Sequence, residues 1–388
     1  MGAHSHFVFE LPTRIEFGSG SLAHLGQRVT DLGGTRVLVV TDEVLAAIGM
    51  ADRVTSVLDD AKIEHVLFTA VEPEPDAAGV QAGAELLAGE GCDLVVAIGG
   101  GSVLDTGKAI SLMSRNPGHI RDYAGLGVDS REGVPIIAVP TTAGTGSEAT
   151  IWAVISEKAS RTKYGVGGPH MTADLALLDP DLSVTLPPRL TAVTGLDALA
   201  HALESYVNKA TQPFSEAMSE KSMELVAQSL RDAVWKGDDP AARADMLMAS
   251  TLAAAAFNST RLGLAHALAM PLGARAKIPH GDVVSILLPE VMRFNVVGNL
   301  AKFARIARIF GEPVDGLSLR AAADAGVAAV ERLVTDVAAP RQLGDYGVTE
   351  ADLPELAEAA MKSGAGNIVV NPRATTSADL VGIMRRSL

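Results

Sequence analysis

The feature that most constrains the fold is an alternation in the first 182 residues between short β-branched runs and helical patterns. The runs are "TRVLVVTD", "HVLFTAV", "CDLVVAIGGG", "VPIIAVPTT" and "LALLDP", and each ends in turn residues. Such alternation predicts a parallel α/β sheet. The opening segment "FELPTRIEFGSGSL" predicts an additional strand leading into it. Because ligands of these sheets bind beyond the carboxyl ends of the strands, the loops that follow the runs are the expected cofactor site.

A change of pattern after "LPPRLTAVTG" indicates a second domain. Long helical patterns rich in Ala, Leu, Met and Glu replace the β-branched runs. A chain of 388 residues is also long enough for two cores. We predict an α/β dinucleotide-binding domain over residues 1–182 and an all-α domain over residues 183–388. The longest apolar stretch, Thr251 to Ala276, is interrupted by Asn258, Arg261 and His266, which predicts a buried helix pair and disfavours a membrane span.

The composition excludes several classes of protein. Hydrophobic residues make up 48% of the chain and charged residues 20%, as in globular proteins. A net charge of −14 disfavours nucleic acid as a partner. The single cysteine, Cys92, cannot form a disulfide within the chain, and no secretory signal pattern is found. We therefore expect a cytoplasmic protein without a membrane partner, and we also expect a homodimer or a higher homo-oligomer.

Two loops are candidates for binding the phosphates of a dinucleotide. In "VVAIGGGSVLDTGKAI" a buried strand leads through Gly99, Gly100, Gly101 and Ser102 into a helix that carries Asp105. Glycines let the backbone approach a pyrophosphate, and the helix N-terminus supplies N–H donors. The spacing is not the usual G-x-G-x-x-G, and a tight structural turn is the alternative. In "VPTTAGTGSEAT" hydroxyl donors cluster in the same way, although a plain hydrophilic turn is nearly as good an explanation; these donors are Thr141, Thr142, Thr145 and Ser147.

Asp42 ends the strand "VLVVTD", where a carboxylate can accept a hydrogen bond from a ribose 2′-hydroxyl and would repel a 2′-phosphate. The same residue could equally be the N-cap of the next helix. If the first interpretation holds, the cofactor is NAD rather than NADP.

Three histidines, His201, His266 and His280, lie in the predicted helical domain. Asp197 precedes His201 by four residues, so both project from one face of a helix. In isolation a local Asp–His hydrogen bond explains this pair better than a metal does, and each remaining histidine could be a core residue. One carboxylate with three imidazoles would nevertheless suit Fe(II) or Zn(II) and leave a position for a substrate oxygen.

Taken in order, these segments resemble the iron-containing (group III) alcohol dehydrogenase family. The match extends from "RIEFGSGSL" through "AIGGGSVLDTGKA", "AVPTTAGTGSE" and "TGLDALAHALESY" to "FNSTRLGLAHALAMPLG", "IPHG" and "NPR". The resemblance implies a metal-dependent oxidoreductase that transfers a hydride between NAD(H) and a small alcohol or aldehyde. The alcohol oxygen would be bound to a divalent metal, in a cleft between an NAD(P)-binding domain and a helical domain. It also implies Asp197, His201, His266 and His280 as the metal ligands, and Asp42, Gly99–Ser102, Thr141 and Thr142 as cofactor contacts.

One position departs from the family. Members commonly carry a further histidine four residues after the third ligand, close to the nicotinamide, and here that residue is Met270. Methionine cannot relay a proton. The resemblance also places Trp152, Phe257 and Asn367 in the substrate pocket. Arg261, read as one helical turn before His266, could meet an anionic substrate group, although a solvated or ion-paired arginine is the more common case.

Two alternatives remain open. A dehydroquinate-synthase-type enzyme would also use NAD and a metal, but its phosphate pocket needs more Lys and Arg than the ligand segments carry. A dinucleotide-binding relative with altered or lost turnover would explain Met270, but the intact set of four ligands argues against it.

Overall fold

The computed structural model describes residues 6–158 and 162–388, which form two compact units. The α/β unit comprises residues 11–185, and the helical unit comprises residues 186–388 together with the described residues before Leu11. Each unit has its own core.

The α/β unit is built on a six-stranded parallel sheet. Its strands are β1 (Arg14–Phe17), β2 (Arg36–Val40), β3 (Glu64–Phe68), β4 (Leu94–Gly99), β6 (Ile136–Pro140) and β9 (Leu175–Leu178). They lie in the order β1-β9-β6-β4-β2-β3. Its helices are α1 (Leu25–Asp31), α2 (Glu43–Ala47), α3 (Met50–Asp60), α4 (Ala77–Gly89) and α5 (Gly101–Met113). The predicted parallel sheet is confirmed, and each β-branched run forms one of its strands.

The central strands are apolar along their whole length because both faces of the sheet are covered. Every residue of β4, and every residue of its neighbour β6, is buried. A strand buried on both faces reads as a continuous apolar run rather than an alternating one. This arrangement brings the ends of β2, β4 and β6 to one edge of the sheet, and with them the two candidate phosphate loops.

The α/β unit contains a second, three-stranded sheet that was not predicted from the sequence. It consists of β5 (Gly125–Leu126), β7 (Trp152–Glu157) and β8 (Thr162–Gly167), with β7 and β8 antiparallel. These strands are short and partly polar, so they lack the long apolar runs that mark the main sheet.

The helical unit contains α6 (Pro188–Val207), α7 (Pro213–Trp235), α8 (Pro240–Thr260), α9 (Leu264–Ala276), α10 (His280–Asn295), α11 (Leu300–Ile309), α12 (Leu319–Asp336), α13 (Leu353–Ser363), α14 (Ala365–Val370) and α15 (Ser377–Arg386). The predicted buried helix pair is confirmed as α8 and α9. Among the described residues, no helix combines the length and the apolar character needed to cross a bilayer.

Candidate functional site

Helix α6 presents three buried polar side chains along one face. Asp197, His201 and Glu204 are spaced by four and three residues, so they lie above one another along the helix. Each has at most 4% of its surface exposed. A buried carboxylate or imidazole is costly unless it is paired, so this face requires partners from other helices.

Histidines from two further helices meet Asp197. The Oδ1 atom of Asp197 lies 3.8 Å from Nε2 of His201, 3.4 Å from Nε2 of His266 on α9, and 3.4 Å from Nε2 of His280 on α10. The rings of His201 and His266 stack with centroids 4.5 Å apart, and the rings of His266 and His280 are 5.4 Å apart. The structure therefore brings together all four residues named as ligands.

Glu204 holds His266 in place from the opposite side of the ring. Its Oε2 atom accepts from Nδ1 of His266 at 2.7 Å and from the amide of Gly263 at 2.8 Å, while Oε1 accepts from the amide of Ala265 at 2.7 Å. A Cβ atom at Gly263 would lie 2.8 Å from Oε1, so only glycine permits this approach. With Nδ1 donating to Glu204, Nε2 of His266 is left to face Asp197.

The charged groups of the centre shift the pKa values of Asp197 and His266. Burial alone raises the pKa of Asp197, but the imidazoles of His201 and His280 outweigh burial and hold that pKa well below its usual range. Burial lowers the pKa of His266, but the carboxylates of Glu204 and Asp197 outweigh it and raise the pKa to about 9. A proton on His266 thus occupies a position that a cation would fill.

The cluster fits a single divalent cation. One ligand atom from each of Asp197, His201 and His266 can be chosen so that all lie within 4.8 Å of one another. Oδ1 of Asp197 and Nε2 of His266 are buried and make no hydrogen bond with any described residue. A bound ion would satisfy both of these atoms, and nitrogen and oxygen donors of this kind bind Fe(II) or Zn(II).

His280 differs from the other three residues because its side chain is 45% exposed. It is the first residue of α10 and follows the N-cap residue Pro279. The same helical turn is anchored by Asp282, which is buried and accepts from Arg189 and from the hydroxyl of Tyr346, both at 2.8 Å. His280 therefore forms the solvent-facing side of the centre.

The four residues predicted for the substrate pocket, Phe257, Met270, Asn367 and Trp152, lie on separate elements of the structure. The ring of Phe257 packs on His201 with centroids 4.8 Å apart. Met270 is one turn after His266 on α9 and is partly buried. Asn367, on α14, accepts from the amide of Leu262 at 3.3 Å. Trp152 is in the α/β unit, where its indole covers Gly165 and Gly167 of β8.

The sequence interpretation of Arg261 was wrong in one respect. Arg261 is not a helical turn before His266 on the same helix, because α8 ends at Thr260 and α9 begins at Leu264. Arg261 instead caps α8 with a φ of +64°. The chain bends there so that the amides of Gly263 and Ala265 can reach Glu204.

In the α/β unit the two candidate phosphate loops touch each other. Gly100 precedes α5, and a Cβ atom at Gly101 would lie 2.6 Å from the side chain of Thr145. The amide of Thr141 donates to the carbonyl of Gly99 at 3.0 Å. The hydroxyl of Ser102 donates to the carbonyl of Pro73 at 2.6 Å. The glycines thus serve the packing of the loops, and the start of α5 lies beside Thr145.

Asp105 and Ser147 belong to an internal polar cluster around Lys108. Asp105 accepts from the hydroxyl of Ser147 at 2.5 Å, and Nζ of the fully buried Lys108 donates to the carbonyls of Ser147 at 2.8 Å and Trp152 at 2.5 Å. Burial lowers the pKa of Lys108 to about 8 against the opposing effect of Asp105 and Glu148. These contacts fix the loop after β6 against β7, a role that Lys108 did not have in the sequence interpretation.

Asp42 is the N-cap of α2. Its Oδ1 atom accepts from the amide of Leu45 at 2.8 Å. Asp42 therefore caps the helix, as one of the two sequence interpretations predicted, and it uses only Oδ1 of its two carboxylate oxygens to do so.

Comparison with known proteins decides the family. A model described as iron-containing alcohol dehydrogenase matches residues 12–180, and one described as the Fe-containing alcohol dehydrogenase family, C-terminal, matches residues 191–388. The chain belongs to the iron-containing alcohol dehydrogenase family. It is 39% identical to a 1,3-propanediol dehydrogenase of Klebsiella pneumoniae over 98% of both chains. It is 37% identical to an NAD-dependent methanol dehydrogenase of Bacillus methanolicus, over 98% of this chain and 99% of the relative. The crystal structure of a 1,3-propanediol oxidoreductase is 38% identical to this protein and superposes on it with a TM-score of 0.96. The match covers 99% of this protein and 100% of the oxidoreductase chain.

Proposed function

We propose that this chain interconverts a small alcohol and its aldehyde, using NAD(H) and a divalent metal held by Asp197, His201, His266 and His280. The observation that carries the proposal is that Nε2 atoms of three histidines lie within 3.8 Å of Oδ1 of Asp197, with Glu204 fixing the orientation of His266. The names of the relatives favour this function over a dehydroquinate-synthase-type enzyme.

Each residue of the centre has a distinct part in this function. Asp197 supplies the negative charge that offsets a cation, and Glu204 keeps the Nδ1 proton of His266 so that Nε2 is free to bind. His280 borders solvent and marks the side from which a substrate enters. When bound, a divalent metal supplies Lewis-acid polarisation of the substrate oxygen. We propose Fe(II) or Zn(II), because the donors are nitrogen and oxygen without a thiolate.

NAD is the proposed cofactor. It would be bound by the α/β domain, predicted over residues 1–182 and seen as the unit of residues 11–185, while the helical domain, predicted over residues 183–388, would hold the metal. The proposed contacts are Asp42, Gly99, Gly100, Gly101, Ser102, Asp105, Thr141, Thr142, Thr145 and Ser147. Asp105 and Ser147 would also support the loop, since their side chains bond each other. Similarity to the NAD-dependent methanol dehydrogenase of Bacillus methanolicus supports NAD.

The substrate pocket, location and assembly complete the proposal. Phe257 lies against His201. From the family resemblance we propose Phe257, Met270, Trp152 and Asn367 as substrate contacts. We propose a cytoplasmic homodimer or higher homo-oligomer acting on a small-molecule substrate.

The test removes one ligand. His266→Ala should lower the metal content of purified protein and reduce alcohol-dependent NADH formation below detection, because Nε2 of His266 can no longer bind. NADH fluorescence should still report binding, since the cofactor loops lie in the other unit.

His65→Ala, on the edge strand β3, is the control and should retain metal and turnover. Full metal stoichiometry in the His266→Ala protein would refute the ligand assignment.

A further inference from the structure

Arg261 adopts a backbone conformation that is almost restricted to glycine. Its φ of +64° and ψ of −170° lie in a region that side chains with a Cβ atom avoid. The bend itself is needed, because the next residues bring the amides of Gly263 and Ala265 to Glu204. Glycine at position 261 would make the same bend without strain, so the arginine side chain must contribute something that glycine cannot.

The Arg261 side chain makes no polar contact with another described residue. Arg261 is exposed, and among residues 6–158 and 162–388 its guanidinium group has no ion pair and no hydrogen bond. The group lies over Gly366 on α14, where any larger side chain would clash with it. Position 366 thus leaves space for a guanidinium that has no partner in the described fold.

The neighbours of Arg261 connect it to the metal centre on two sides. Its amide donates to the carbonyl of Phe257 at 2.9 Å, and the ring of Phe257 packs on His201. On the other side, Gly364 at the start of α14 packs against Ala267, the residue next to His266. Arg261 thus lies in the segment between Phe257 and His266, and its guanidinium lies on α14, whose N-cap residue Gly364 packs on α9.

We propose that Arg261 determines substrate specificity by binding an anionic group at the distal end of the substrate. The preferred substrates are then small alcohols or aldehydes that carry a carboxylate or a similar anion. The proposal rests on the proposed function and refines it. A chain with a net charge of −14 repels anions at long range, so a local cation is needed to bind one.

The experiment compares ω-hydroxy acids of three to five carbons with the diols of the same length, on metal-loaded enzyme. For at least one length, wild type should show a kcat/KM for the acid about tenfold above the diol, the effect expected of one charge-assisted hydrogen bond. Arg261→Gly keeps the bend and should abolish that preference while kcat/KM for the diol stays within about twofold. Arg261→Lys should retain part of it, and KM for the acid alone should rise with salt.

Lys62→Gly is the matched control. Lys62 is also an exposed cation, with a φ of +60°, but it lies in the α/β unit. Its replacement should leave kcat/KM unchanged for both the hydroxy acids and the diols. Equal kcat/KM for acids and diols in wild type, or an unchanged preference in Arg261→Gly, would overturn the proposal.

Calorimetric binding of the hydroxy acids separates this outcome from failure of the proposed function. If no alcohol is oxidised, binding to wild type but not to Arg261→Gly still supports an anion site, and absence of binding to wild type refutes it.

Discussion

Glu204 and Asp197 flank the ring of His266, and together they make protonation of the metal-free centre favourable. Because these carboxylates raise the pKa of His266 to about 9, the metal-free protein holds a proton there at neutral pH. The folded pKa lies above the unfolded value of about 6.5. The protonated ring therefore stabilises the metal-free fold fully below pH 6.5 or so, and this stabilisation is lost as the pH rises through about 9.

Metal binding should therefore release a proton at pH 7.5, because Nε2 of His266 must be deprotonated to bind a cation. Calorimetric titration with Zn(II) in Pipes and in Hepes should give different enthalpies at pH 7.5, since the buffers take up the released proton with different heats. The number of protons released should fall as the pH rises toward 9, where His266 loses its proton without the metal.

Glu204→Gln should show a smaller difference at pH 7.5 and a Zn(II) affinity lower by about 10- to 100-fold, as for other partners of metal-binding histidines. The exposed Glu224→Gln is the control. Identical enthalpies in the two buffers for wild type would show that His266 carries no proton.

At this scale the sequence predicted which residues meet but not what supports them. The resemblance to the family named Asp197, His201, His266 and His280 as ligands, and the structure brings these side chains together. Glu204 was missed although it lies in the same segment as Asp197 and His201, "TGLDALAHALESY", because a glutamate on a helix is usually solvated. The signal was its spacing of seven residues from Asp197, which places both on one helix face.

Among the elements, the strands of the main sheet could be predicted because each is an apolar run bounded by turn residues. The break between α8 and α9 could not be placed, since the residue that makes the bend, Arg261, gives no sign in sequence of a positive φ. The contact between Lys108 and the carbonyl of Trp152 was also beyond prediction, because it joins segments 44 residues apart.

The start of α2 offers a test of the cofactor, because Asp42 is both its N-cap and the proposed contact of the ribose. Asp42→Asn keeps an oxygen that can cap Leu45 but removes the charge. The ratio of kcat/KM for NAD to that for NADP should fall by about tenfold, because repulsion of a 2′-phosphate at short range is worth a kilocalorie or more.

The melting temperature of Asp42→Asn should stay close to that of wild type, whereas Asp42→Ala should lose about 1 kcal/mol of stability with the cap. A wild type that already prefers NADP would contradict the role given to Asp42.

For the whole molecule, the division into two units means that metal and cofactor should stabilise different parts of the chain. Zn(II) should slow amide hydrogen exchange in α6, α9 and the first turn of α10, while NADH should slow it around Gly99–Ser102. At a hundred times its dissociation constant, each ligand adds about 2.7 kcal/mol to the unit that binds it. In the His266→Ala protein the effect of Zn(II) should disappear and that of NADH should remain. Protection of the main sheet by Zn(II) alone would argue against independent units.

The half-exposed position of His280 has a consequence for the lifetime of the bound metal. Three of the proposed ligands are buried on α6 and α9, whereas His280 begins α10, and the ends of helices open more readily than their interiors. Opening a single turn would detach His280 and admit water while the other three proposed ligands stay in place. The residence time of an ion would then depend on the contacts of Asp282 with Arg189 and Tyr346, which hold that turn closed, although all four proposed ligands would determine the affinity. Tight binding and rapid exchange are thus compatible in this centre.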